Sequence, residues 1–170
     1  QSIEKYKPEE GDESGLPFVQ AYLLMASVHE EAGKASDDPE IERQAYEHAI
    51  ETCNVLLDLL PEEETQQTLQ IKLQAYFRRG VNERLLGNFT AAAQSLTEAI
   101  NINPEFNEAY FRRAIVYTEM EEEHLALRDL EAAQALQFDD ARAYLWEGIT
   151  YARWGNTETP SVATTRRSRS

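Results

Sequence analysis

Ala75-Tyr76-Phe77-Arg78-Arg79 returns 34 residues downstream as Ala109-Tyr110-Phe111-Arg112-Arg113. Around this string the agreement continues: Ala92, Leu96 and Ala99 fall on Ala126, Leu130 and Ala133, and Gly80 falls on the equally small Ala114. Residues 73–106 and 107–140 are therefore two copies of one unit. A fixed period of this length marks a stacked array in which each unit buries its apolar face against the next.

Each copy reads as two helices. Ala75, Tyr76, Arg79, Gly80 and Glu83 lie at helical spacing, Gly87-Asn88 interrupts, and Phe89, Ala92, Ala93, Leu96, Ala99 and Ile100 resume the period until Asn103-Pro104. Small residues at Gly80, Ala92 and Ala99 let helices approach closely, while Tyr76, Phe89 and Leu96 fill the gaps.

This pattern resembles the tetratricopeptide repeat. The places that family gives to aromatics, small residues, a turn glycine and a closing proline hold Tyr76, Gly80, Gly87, Phe89, Ala92, Leu96, Ala99 and Pro104. The second copy keeps Tyr110, Ala114, Tyr117, Ala126, Leu130 and Ala133 but departs at the turn, with Glu121 and Glu123, and at Phe138, where proline is usual. The resemblance implies an all-α, right-handed helix-turn-helix solenoid.

Reading outward gives about seven helices over residues 16–156. An acidic leader, 1–15, is expected to be flexible. An irregular repeat follows at 19–63: Tyr22 and Ala26 match Tyr76 and Gly80, and Tyr46, Ala49, Cys53 and Leu56 match Phe89, Ala92, Leu96 and Ala99. The two registers differ by eleven residues, which predicts a widened turn over 34–43 and an N-terminal extension of the second helix. Pro61 followed by Glu62, Glu63 and Glu64 predicts the start of a long helix running to Gly87. Ala143, Tyr144, Gly148 and Tyr151 open a further unit, an orphan capping helix at 141–155 that carries Trp146 and Trp154, before an aperiodic tail at 157–170 that is expected to be disordered.

The chain has 170 residues, 42% of them hydrophobic, and a net charge of -15. Most of that excess lies in residues 1–72, with 17 acids against 5 bases, which argues against nucleic acid as a partner. Cys53 is the lone cysteine and sits in an apolar helical run, where a buried structural thiol is expected. No stretch is long and apolar enough to insert in a bilayer. The first residue is Gln1 rather than Met, so a fragment or a processed product is expected, with a cytoplasmic location favoured and export or tethering left open.

The resemblance implies that first helices line a groove. By repeat register the groove residues are Phe77, Arg78, Val81 and Arg84, then Phe111, Arg112 and Ile115, then Arg142, Trp146 and Ile149. Such an apolar trough with arginines suits a protein or peptide bearing hydrophobic anchors and carboxylates. Family co-chaperones clamp a C-terminal carboxylate with a Lys, Asn and Arg set. The matching positions here are Leu23, Ser27, Arg78, Glu108 and Arg112, of which Arg112 alone fits.

Catalytic signals are weak. His29, His48 and His124 fall in three helices without a shared spacing, and no metal-ligand, paired-cysteine or phosphate-loop motif occurs. The expectation is a non-enzymatic interaction module without metal or cofactor, binding a partner in its groove. The alternative is a structural scaffold that homo-oligomerises through its C-terminal helix.

Overall fold

The computed structural model describes residues 15–138 and 141–155, with side chains from residue 19 onward. Seven α-helices account for the regular structure of these residues: α1 (Gly15–Lys34), α2 (Pro39–Leu59), α3 (Gln66–Leu85), α4 (Phe89–Ile102), α5 (Asn107–Glu119), α6 (Glu123–Ala135) and α7 (Ala141–Arg153). The expectations for residues 1–14 and 156–170 lie outside the described residues, and Gly15, placed in the leader, is the first residue of α1.

Each helix packs on its chain neighbours, and the first helices α1, α3, α5 and α7 also touch one another in sequence, whereas α2, α4 and α6 do not. A stack whose first helices meet while its second helices stand apart curves toward the first-helix side. That side is the inner wall.

Among the described residues the apolar burial is divided into clusters along the stack. Val19, Leu56, Ile71 and Ala75 join α1, α2 and α3. Leu73, Ala99, Ile100 and Ala109 join α3, α4 and α5, and beside them Ala92, Ala93, Leu96 and Val116 join α4 to α5. Phe111, Ala114, Ile115, Leu130, Ala133 and Ala143 close the series across α5, α6 and α7. Each second helix is thus gripped between two first helices, the layered burial that makes a solenoid's stability a sum over neighbours. Gly80 shows how close the approach is: a methyl group placed on it would lie 2.7 Å from Leu96 Cγ.

Local chemistry sets the boundaries. The expected widening over 34–43 shrinks to the four residues between Lys34 and Pro39, because Asp38 caps α2 by accepting from the Glu40 N–H and Pro39 occupies the first turn. The surplus residues are helical, and α2 begins seven residues before Tyr46. The start of α3 also moves, from Pro61 to Gln66. Thr65 and Thr68 form a reciprocal capping box there, which satisfies the helix-start donors better than the glutamates after Pro61. The helix is still 20 residues long, against 13 for α5.

The second repeat's turn has the same backbone as the first. Glu121 adopts φ 62° where Gly87 adopts φ 77°, so the departure from glycine changes the cost of the turn and not its shape. Phe138, standing in the proline's place, packs its ring 4.9 Å from that of Phe111.

Cys53 is fully buried, and that burial pushes its thiol up to about 12. Its thiolate is scarcer than that of a free cysteine by on the order of a thousandfold near neutral pH. In folded protein Cys53 should therefore resist alkylation by iodoacetamide and react on unfolding in denaturant. Rapid labelling of folded protein would contradict its place in the core.

Candidate functional site

The inner wall is built from residues at equivalent register on α1, α3, α5 and α7, and its charged side chains are already paired. Arg78 on α3 meets Glu30 on α1 at 3.3 Å, and Arg84 on α3 meets Glu119 on α5 at 2.9 Å. Arg112 meets Glu108 on the same helix at 2.8 Å. These three arginines keep between 20% and 30% of their side-chain surface exposed. Arg142 on α7 lies over the Phe111 ring, 5.5 Å from its centroid, and Arg153 faces Glu121 at 3.7 Å. Arg84 Nε and Glu119 Oε2 are buried without hydrogen-bond partners, so this ion pair leaves one donor and one acceptor unused.

The expectation of an apolar trough needs correction. Phe111 is 1% exposed and Ile115 is 3% exposed, both inside the cluster between α5, α6 and α7, so neither ring nor methyls face a partner. Phe111 is covered by Phe138 from the end of its own repeat and by Arg142 from the next. Phe77 belongs to different clusters, packs against Phe106 at 4.9 Å and remains half-buried. Val81, Trp146 and Ile149 are also half-buried, Trp146 against the Phe111 cluster. The wall is consequently a run of countered arginines with interrupted apolar patches. Its arginines are not open carboxylate receptors either, since Glu30, Glu108 and Glu119 already hold them.

A pair of residues in the repeated string has a role the sequence did not reveal. Arg79 donates to Ser95 on α4 at 2.9 Å and to Asn54 on α2 at 3.0 Å. One repeat on, Arg113 donates to Asp129 on α6 at 2.6 and 2.9 Å and to Thr97 on α4 at 2.8 Å. At each level one arginine thus ties its own second helix to that of the preceding unit. Their recurrence in identical strings was the available signal. Burial works against the Arg113 charge, but the hydrogen bonds and charge of Asp129 outweigh it and hold the guanidinium above its ordinary value.

The histidines find neighbours that their spacing did not show. His29 and His48 bring their rings to 5.4 Å across α1 and α2, and His124 meets Trp154 edge-on at 4.4 Å. Among the described residues no group of three or more His, Cys, Asp or Glu side chains is arranged to hold a metal ion, and no helix is long and apolar enough to cross a membrane.

Comparison with known proteins places this architecture. The tetratricopeptide repeat model matches residues 73–106. A FAM10 family protein of Arabidopsis thaliana is 38% identical over 69 residues, which are 41% of this chain and 16% of that protein, so the chain spans a small part of that relative. Among solved structures, the first TPR domain of Spaghetti (RPAP3) bound to the HSP90 peptide SRMEEVD superposes with TM-score 0.58 at 18% identity, over 78% of this chain and 94% of that chain. The TPR2B domain of yeast Sti1, in a complex with pHsp70, gives 0.55 at 20%, over 78% and 98% respectively. MamA gives 0.55 at 20%, over 89% and 88%. At these identities the likeness is one of fold. With a matching repeat at residues 73–106, equivalent helix pairs on either side and TPR solenoids superposing over most of its length, the chain has the fold of a tetratricopeptide-repeat solenoid.

Proposed function

We propose that the chain is a protein-interaction module whose inner wall receives a partner segment of mixed charge with apolar side chains. The observation that carries this reading is the row of partly exposed, already countered arginines, Arg78, Arg84 and Arg112, standing beside half-buried Phe77, Val81, Trp146 and Ile149. A partner that brings both signs exchanges one ion pair for another and loses little desolvation energy in doing so, while its apolar side chains supply the net gain. Solenoids of the same fold bound to the HSP90 peptide SRMEEVD and in complex with pHsp70 support an interaction role.

The same chemistry argues against a purely acidic ligand. Glu30, Glu108 and Glu119 would repel it, and Arg112 would have to leave Glu108. A peptide of glutamates alone should accordingly show no saturable binding by calorimetry. Peptides selected from a display library on the 170-residue chain should lose affinity at least about tenfold, or ~1.4 kcal/mol, on Arg112→Glu, with the helical circular dichroism unchanged. Selected peptides that bind the Arg112→Glu variant as tightly as the parent would remove the inner wall from the mechanism.

A further inference from the structure

Among the described residues nothing covers either end of the stack, and the two bare faces match. Inside the array each second helix is held between two faces: the one around Gly80 or Ala114 on its own first helix, and the one around Ala109 and Val116, or Ala143 and Thr150, on the next first helix, all of them buried. On α1 no described helix stands before the second kind of face. Its residues Ala21, Met25, Val28 and Ala32 are exposed, Val28 by 59%, although the equivalents of Ala21 and Val28 in α3, α5 and α7 are fully buried. On α7 the first kind of face has no second helix among the described residues. Leu145 is 62% exposed, and Gly148, the equivalent of Gly80, has nothing within 4 Å of where a Cβ would stand.

We propose that α1 of one copy docks on α7 of another, in the place a second helix occupies inside the array, so that the chain associates head to tail. The occupant is argued from its sequence. The second helices α4 and α6 present Ala-x3-Leu-x2-Ala to the small residue of the first helix, as Ala92, Leu96 and Ala99 do. The bare face of α1 presents Ala21-x3-Met25-x2-Val28, the same small-large-small order. Set antiparallel, as α4 lies on α3, with Met25 over Gly148, this face brings Val28 to Leu145, Ala21 to Ala152 and Ala32 to Ala141. Small meets small at both ends of the seam, and the largest side chain meets the glycine. The same register puts Glu31 beside Arg142, so the flanking charges are complementary.

One helix pair buries less than the roughly 1,200–2,000 Å² of a stable interface, so the contact is weak and shows at high micromolar concentration. Each copy carries -15, and this long-range repulsion is what added salt screens. Association should therefore strengthen as salt rises. Because the two faces differ, it does not stop at a dimer unless a ring closes. The groove reading plays no part in this contact, which stands or falls separately.

Sedimentation velocity on the 170-residue chain tests it. The parent should grow in size with concentration, and Val28→Glu and Leu145→Glu, both at exposed positions, should each remain monomeric. Mixed together, these two variants should form a one-to-one complex and nothing larger, since each retains the face the other has lost. A parent that stays monomeric at high micromolar concentration overturns the proposal. So does a dimer that survives Val28→Glu and disappears with Leu145→Glu, which would assign an α7–α7 contact instead. Unchanged helical circular dichroism in both variants separates loss of docking from loss of fold.

Discussion

Asp129→Ala is expected to destabilise the α5–α7 end of the stack by about 3–5 kcal/mol, the cost of leaving a buried charge without its partner. Asp129 is 2% exposed and accepts two hydrogen bonds from the Arg113 guanidinium, while Arg113 is tied on its other side to Thr97. The cation cannot simply swing out to water, because Tyr110 and Tyr117 each hold their ring centroid 5.7 Å from its central carbon. Against a typical total stability of about 5–15 kcal/mol, a loss of this size removes a large part of the margin. The level below provides a comparison. Ser95→Ala removes an acceptor from Arg79, which keeps Asn54 and Glu83, and a donor to Glu83, and should cost about 1.5–3 kcal/mol, less than the stranded charge. Urea unfolding followed by circular dichroism measures both. Replacing the two ionic partners together, as Arg113→Met with Asp129→Leu, should recover much of the loss, because the penalty lies in the stranded charge. A single Asp129→Ala variant within 1 kcal/mol of the parent would mean that the pair is solvated.

How far the sequence reached follows from which interactions are local. The five-residue string, the small residue at Gly80 and the breaks at Gly87 and Pro104 are properties of single helices and turns, and the helix pairs they imply are the ones observed. The groove list depended on something else. Phe77, Phe111 and Leu145 share one register position, yet one is half-buried, one is in the core and one is exposed. What differs is the cover supplied from farther along: Phe106 for Phe77, Phe138 and Arg142 for Phe111, and, among the described residues, no second helix for Leu145. Register says which way a side chain leaves its helix and not what waits there. The ion pairs between helices escaped notice for the same reason, since Arg78 and Glu30 are 48 residues apart. Only the recurrence of Arg79 and Arg113 within a repeated string was local enough to flag, and its meaning required the second helices to be in place.

Phe111→Ala should cost about 3–5 kcal/mol, the range for removing a buried aromatic ring where neighbours close the space only in part. Phe111 is the largest fully buried side chain among the described residues, and three elements meet on it: Leu130 and Ala133 from α6, Ala143 and Trp146 from α7, and Phe138 from the connection between them. Its loss strips the packing beneath Trp146 and the face under Arg142, so α7 should loosen before the rest of the stack. Tryptophan emission should shift to the red at denaturant concentrations where the α1–α4 amides remain protected from hydrogen exchange. Phe77→Ala is the internal control. It removes the same ring from the same register, but Phe77 is only half-buried, so its cost should be about half as large and should leave the tryptophan signal where it was. Equal losses at the two positions would mean that Phe77 and Phe111 share one environment, as the repeat register alone suggests, and that the separate clusters around them do not govern stability.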